Sequence, residues 1–161
     1  MAAVVSNQFP TSQSLRREKV DDKDLVYPKS NLGTLSDESA LSSSHIDALR
    51  HALHGTKARV VLPHEEGYDA AIRCWSRAAE KPASVAVIPT NTEEVSIVIK
   101  VATNTGAELA IKGGGHSSAG ASCTDGGILI DLSAMRAVKV DPAEQLIFIQ
   151  GGKCSSLIEA R

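Results

Sequence analysis

The chain has 161 residues, of which 42% are hydrophobic and 22% charged, and its formal net charge is −2. This is the composition of an ordinary globular protein with one modest core. It lacks the Lys/Arg runs that mark a nucleic-acid binder, and at 3% aromatic residues it lacks base-stacking surfaces too.

No apolar stretch approaches the roughly 20 residues of a membrane span. The N-terminus has no basic segment leading into an apolar one. A cytoplasmic protein with no nucleic-acid or membrane partner is therefore expected. The three cysteines, Cys74, Cys123 and Cys154, are widely spaced and form no C-x-x-C. They read as reduced bystanders rather than as a disulfide framework or a zinc site.

Residues 1–34 are polar, carry Pro10, Pro28 and Gly33 and show no periodicity, so a flexible tail is expected there. Residues 35–82 read as a helical N-terminal segment. Ser36-Asp37-Glu38 and Ser42-Ser43-Ser44 offer caps, Ile46, Leu49 and Leu53 recur at helical spacing, and Gly55 is placed to stop the helix. ARVVLP (58–63) is a short extended run. Tyr68, Ile72, Trp75 and Ala79 follow at i, i+4, i+7 and i+11, which predicts a second amphipathic helix closed by Pro82, with Tyr68 and Trp75 in the core. His51 and His54 stand three apart in the first helix, a spacing open to half a metal site or to a solvated face.

From residue 83 the pattern changes. SVAVIP (84–89) is a buried-strand run, and Thr90 with Glu93 has capping-box spacing. Val95, Val98, Ile99 and Ala102 make one helical face that ends at Gly106, and ELAIK (108–112) is a second strand. This is a βαβ unit with a small parallel sheet. GILIDLS (127–133) reads as a third strand. AVKVD (137–141) and QLIFIQ (145–150) read as a β-hairpin, and Ser155, Leu157 and Ile158 begin a further helix signal. The fold class is α+β.

Between the second and third strands lies KGGGHSSAG (112–120). Glycines in series cost about 0.5–1 kcal/mol each relative to Ala within a regular element, so such a loop usually serves a close backbone approach. The dinucleotide fingerprint G-x-G-x-x-G fails at Ser118, and the P-loop pattern fails at Ile147 and Cys154. Two readings remain on composition: a nest of backbone N–H groups for a pyrophosphate, with Lys112, Ser117 and Ser118 adding charge and hydroxyls, or a glycine-rich surface turn.

The ordered stretch from Ala110 to Pro142 resembles a family. Lys112, Gly113, Gly114, Gly115, His116 and Ser117 are followed by Gly126, Gly127, Asp131, Leu132 and Ser133; Pro89 and the helix at 92–105 lie upstream, with Tyr68, Trp75 and Lys81-Pro82 before them. Over roughly residues 57–161 the chain is similar to the PCMH-type FAD-binding domain of the vanillyl-alcohol-oxidase superfamily, and within it to the berberine-bridge-enzyme-like FAD-linked oxidoreductases.

The resemblance implies FAD as cofactor, cradled by Lys112, Gly113, Gly114, Gly115, His116, Ser117, Ser118 and Gly120, with an 8α-histidyl bond to His116. It further implies oxidation of a small metabolite, of the secondary-metabolism kind, by hydride transfer to FAD, with dioxygen as the electron acceptor. The family's second covalent link, to a cysteine well downstream of the loop, matches no cysteine here. Its FAD domain continues past the hairpin and a substrate domain follows, so residues 83–161 are expected to be the N-terminal part of a truncated FAD domain. The alternative is a catalytically inactive fragment acting at most as a binding module.

Overall fold

The computed structural model describes residues 41–153. The tail expected over 1–34, the caps at Ser36–Glu38, Cys154 and the helix signal at Ser155–Ile158 lie outside the described residues.

Helix α1 (Ser43–Ala52) starts after Ser42 and buries Leu49, and the following Leu53 is buried as well. Strand β1 (Arg59–Val61) comes next. The second helix is shorter than its periodicity predicts: α2 (Tyr68–Ile72) stops where Arg73 turns to φ −59°, ψ 127°. The cause is competition from hydrogen-bond partners outside the helix. The Cys74 N–H donates to the Glu80 carboxylate at 3.1 Å, and the Trp75 N–H donates to the Gly115 carbonyl at 2.9 Å. A single 3-10 turn, Arg77–Ala79, completes the segment. Tyr68 is in the core as expected, with its hydroxyl donating to the Ala83 carbonyl at 2.6 Å. Trp75 is not: it is 77% exposed.

Strands β2 (Val85–Ile88), β3 (Leu109–Lys112) and β4 (Ile128–Asp131) carry the sheet, and helix α3 (Thr92–Thr105) connects β2 to β3. The sheet order is β1-β2-β4-β3, with β2 and β3 each parallel to β4 and β1 antiparallel to β2. The βαβ unit is present, but β4 lies between its two strands. All four β4 residues are buried, whereas edge strand β3 exposes Ile111 by 47%.

Alternation along the strands divides the core into two layers. On one face Val85, Val87, Ile128 and Ile130 pack with Leu49, Leu53, Val98 and Ala102 of the α1–α3 layer. On the other, Ala86, Ile88, Ala110 and Leu129 pack with Tyr68 and Ala71.

The cap of α3 differs by one residue from the sequence reading. Asn91, not Thr90, is the N-cap, accepting from the Glu94 N–H at 2.9 Å, and Glu94 rather than Glu93 reaches back. The buried Glu94 carboxylate accepts from the Thr90 N–H at 2.6 Å and from the Lys57 N–H at 3.0 Å. It ties the start of α3 to the chain entering β1. Strands β5 (Val138–Asp141) and β6 (Leu146–Ile149) form the expected antiparallel hairpin as a separate two-stranded sheet. Among the described residues no helix is long and apolar enough to cross a membrane.

Candidate functional site

Ligands of parallel α/β sheets bind beyond the carboxyl ends of the strands. Here Lys112 and Asp131 are register partners, each the last residue of its strand. The two side chains are buried and form an ion pair at 3.5 Å. The Lys112 ammonium also donates to the Arg73 carbonyl at 3.3 Å and the Ala70 carbonyl at 3.5 Å, which the early end of α2 leaves available. Asp131 accepts from the Ser133 N–H and hydroxyl, each at 3.0 Å. The charge of Lys112 is thus taken up inside the protein, where it anchors the start of the glycine loop to α2. Such a pair loses hydration on burial, so its value lies in fixing geometry more than in net stability.

Above this pair opens a cleft of about 640 Å³. Lys112, Gly113, Gly114 and His116 line it, as does Asp131. Of the other residues singled out in the loop, Gly115 and Gly120 are buried beneath it. Ser117 uses its hydroxyl within the loop, accepting from the Ala121 N–H at 3.1 Å. Ser118 is exposed.

Two glycines shape the loop. At Gly114 a Cβ would lie 2.5 Å from Cε1 of His116, so the imidazole lies back over a backbone that only glycine leaves open. Gly115 has φ +70°, and a Cβ there would meet the Arg73 carbonyl and Cys74 Cα at 3.4 Å. Segment 73–75 therefore packs directly on the loop.

The cleft also gathers four cationic residues that sequence reasoning passed over, Arg59, Arg73, Arg136 and Lys153, together with Trp75, which the sequence reading placed in the core. The four cationic side chains line the same cleft as the backbone of Gly113, Gly114 and Gly152, an arrangement suited to a phosphate-bearing ligand. No motif links them. They are scattered from residue 59 to residue 153, and the helical period around Trp75 points it into the core instead. The cysteines likewise hide a pairing: Cys74 and Cys123, 49 residues apart, place their sulfurs 2.8 Å from each other beneath the same loop.

Comparison with known proteins agrees with this geometry. The FAD binding domain family matches residues 83–156. A FAD-linked oxidoreductase of Aspergillus fumigatus, hasG, is 31% identical over 112 residues, which is 70% of this chain and 24% of that protein. The crystal structure of 6-hydroxy-D-nicotine oxidase from Arthrobacter nicotinovorans superposes with a TM-score of 0.58 at 28% identity, covering 62% of this chain and 22% of that one. Glucooligosaccharide oxidase from Acremonium strictum, whose FAD is bound as 6-S-cysteinyl, 8α-N1-histidyl, shares the fold with a TM-score of 0.59 at 24% identity, over 66% of this chain and 22% of that one. The chain thus spans about a quarter of the length of such relatives. In sequence, in fold and in the place of its glycine loop, residues 83–156 are an FAD binding domain, and around it the chain resembles the N-terminal part of the berberine-bridge-enzyme-like FAD-linked oxidoreductases.

Proposed function

We propose that this chain holds FAD in the cleft beyond β3 and β4, and that the protein it represents oxidises a small molecule and passes the electrons to dioxygen. The observation that carries the reading is the juxtaposition of Gly113, Gly114 and His116 with a cationic rim, in a chain that carries an FAD binding domain. When bound, FAD would supply the redox chemistry, a two-electron oxidation of the substrate coupled to reduction of dioxygen.

The residues fit that group. Side-chain-free backbone at Gly113 and Gly114 lets a bulky ligand approach the loop closely. Arg73, Arg136 and Lys153 offer positive charge to a pyrophosphate. Lys112 and Asp131 hold the loop's origin in place. His116, exposed at the cleft, is the residue we assign to an 8α-histidyl bond, the linkage type that glucooligosaccharide oxidase bears.

The test is an absorbance spectrum of the purified protein before and after acid precipitation, with intact mass alongside. The expected result is flavin absorbance that stays with the pellet and a mass gain equal to FAD, both lost in His116→Ala. Flavin released to the supernatant would overturn the covalent assignment and keep the cofactor. A colourless protein that takes up no added FAD would overturn both and favour an inactive fragment.

A further inference from the structure

We infer that Cys74 and Cys123 are an oxidisable pair, and that their disulfide staples the glycine loop to the segment that follows α2. The two thiols face each other with sulfurs 2.8 Å apart, and both residues are buried, at 6% and 8% exposure. The backbone has already brought their surroundings together. The Trp75 N–H donates to Gly115, and Gly115 packs against Cys74 Cα on one side of the loop. On the other side, the Cys123 N–H donates to the Gly120 carbonyl at 3.0 Å. A bond between the sulfurs would close the gap between contacts that exist without it.

The surroundings also say how the bond forms. Burial, and then the neighbouring Cys123 thiol, push the Cys74 thiol up to about 11. Thiolate is the attacking form, so the bond forms slowly. The oxidant we name is a low-molecular-weight disulfide, for instance oxidised glutathione. One protein thiolate attacks its S–S bond and releases one glutathione. The second protein thiolate then attacks the mixed disulfide and releases the other. One S–S bond breaks and one forms, both protein thiol protons leave with the two glutathione thiols, and the protein is oxidised by two electrons. Joining residues 49 apart restricts the unfolded chain, so the oxidised form should melt higher than the reduced one.

Trypsin makes the test direct. Cleavage after Arg73 and Arg77 yields the peptide CWSR (74–77), and cleavage after Lys112 and Arg136 yields 113–136, which contains Cys123. Full-length protein is incubated with oxidised glutathione, quenched in acid, alkylated and digested without reductant. The expected product is these two peptides joined, lighter by two hydrogens than their sum, as the dominant form of both. It should disappear on reduction and in Cys123→Ala, and reduction should lower the melting temperature. Alkylation of both cysteines, a glutathione adduct stable at either one, or a dominant link from either to Cys154 would overturn the inference. Any FAD on His116 would travel with the second peptide as an added mass, so failure of the disulfide and failure of the flavin assignment are read separately.

Discussion

At the scale of single residues, Gly114 and Gly115 are adjacent but do different things. A Cβ on Gly114 meets only the His116 imidazole, a side chain rather than backbone. Gly114→Ala should therefore cost less than about 1 kcal/mol of folding stability. It displaces the imidazole from its place over the loop, and so should slow flavin attachment, followed as retained flavin absorbance against time. Gly115 sits at φ +70°, a backbone that strains any side chain, although a Cβ there would only reach ordinary contact with its neighbours. Gly115→Ala should destabilise by about 1–2 kcal/mol through the left-handed backbone alone, a loss that urea denaturation reads. Equal stability losses in the two variants would contradict this division. The consecutive glycines met in the sequence thus have separate tasks, one making room for a side chain and the other turning the chain.

At the scale of elements, Glu94 carries more than a cap. Burial by itself would raise its carboxyl, but hydrogen bonds from the Thr90 and Lys57 backbone N–H groups and from Thr90's hydroxyl outweigh burial and hold it below the ordinary value of 4.5. A carboxyl depressed in the folded state stabilises fully above its unfolded value, and the contribution fades as pH falls through the folded value. The wild-type protein should hence lose stability as pH drops below about 4.5, and Glu94→Gln should flatten that part of the profile. At neutral pH the same variant should lose about 1.5–3 kcal/mol, the usual worth of hydrogen bonds to a charged group. Urea melts across pH 3–7 check both. A profile unchanged by the substitution would show that other carboxyls set the acid limit.

The same element shows what the sequence disclosed. Strands β2, β3 and β4 were legible because each is a short apolar run bounded by turn residues, and α3 because its apolar face keeps one period for its whole length. The cap was misplaced by one residue, since Thr90-x-x-Glu93 and Asn91-x-x-Glu94 overlap and local pattern does not separate them. Helix α2 was overextended because its true end is set by partners far along the chain, Gly115 above all. For the same reason the loop was found while its rim was not: a motif is contiguous, but Arg73, Arg136 and Lys153 meet only after folding. The contact of Cys74 with Cys123 was hidden likewise, for spacing says nothing about two cysteines on different segments.

At the scale of the whole molecule, the β5–β6 hairpin stands apart from the four-stranded sheet. Register places Val138 opposite Ile149 and Val140 opposite Ile147, so these four share one face. All four are exposed, Val140 by 59% and Ile147 by 56%. An apolar face with open strand edges is a site for association. The matched segment makes up only 24% of the relative hasG, which is roughly three times as long as this chain, so produced alone it lacks much of what such proteins contain. The 161-residue polypeptide should accordingly self-associate at micromolar concentration, as sedimentation velocity would show. Val140→Lys with Ile147→Glu puts an opposite-charge pair across the strands, which keeps the hairpin paired while making its face polar. That double variant should return the protein to a monomer, with the melting temperature of the main sheet essentially unchanged because no core residue is touched. A wild-type chain that sediments as a monomer would mean the hairpin face is covered within the chain itself, and association that persists in the double variant would locate the contact elsewhere.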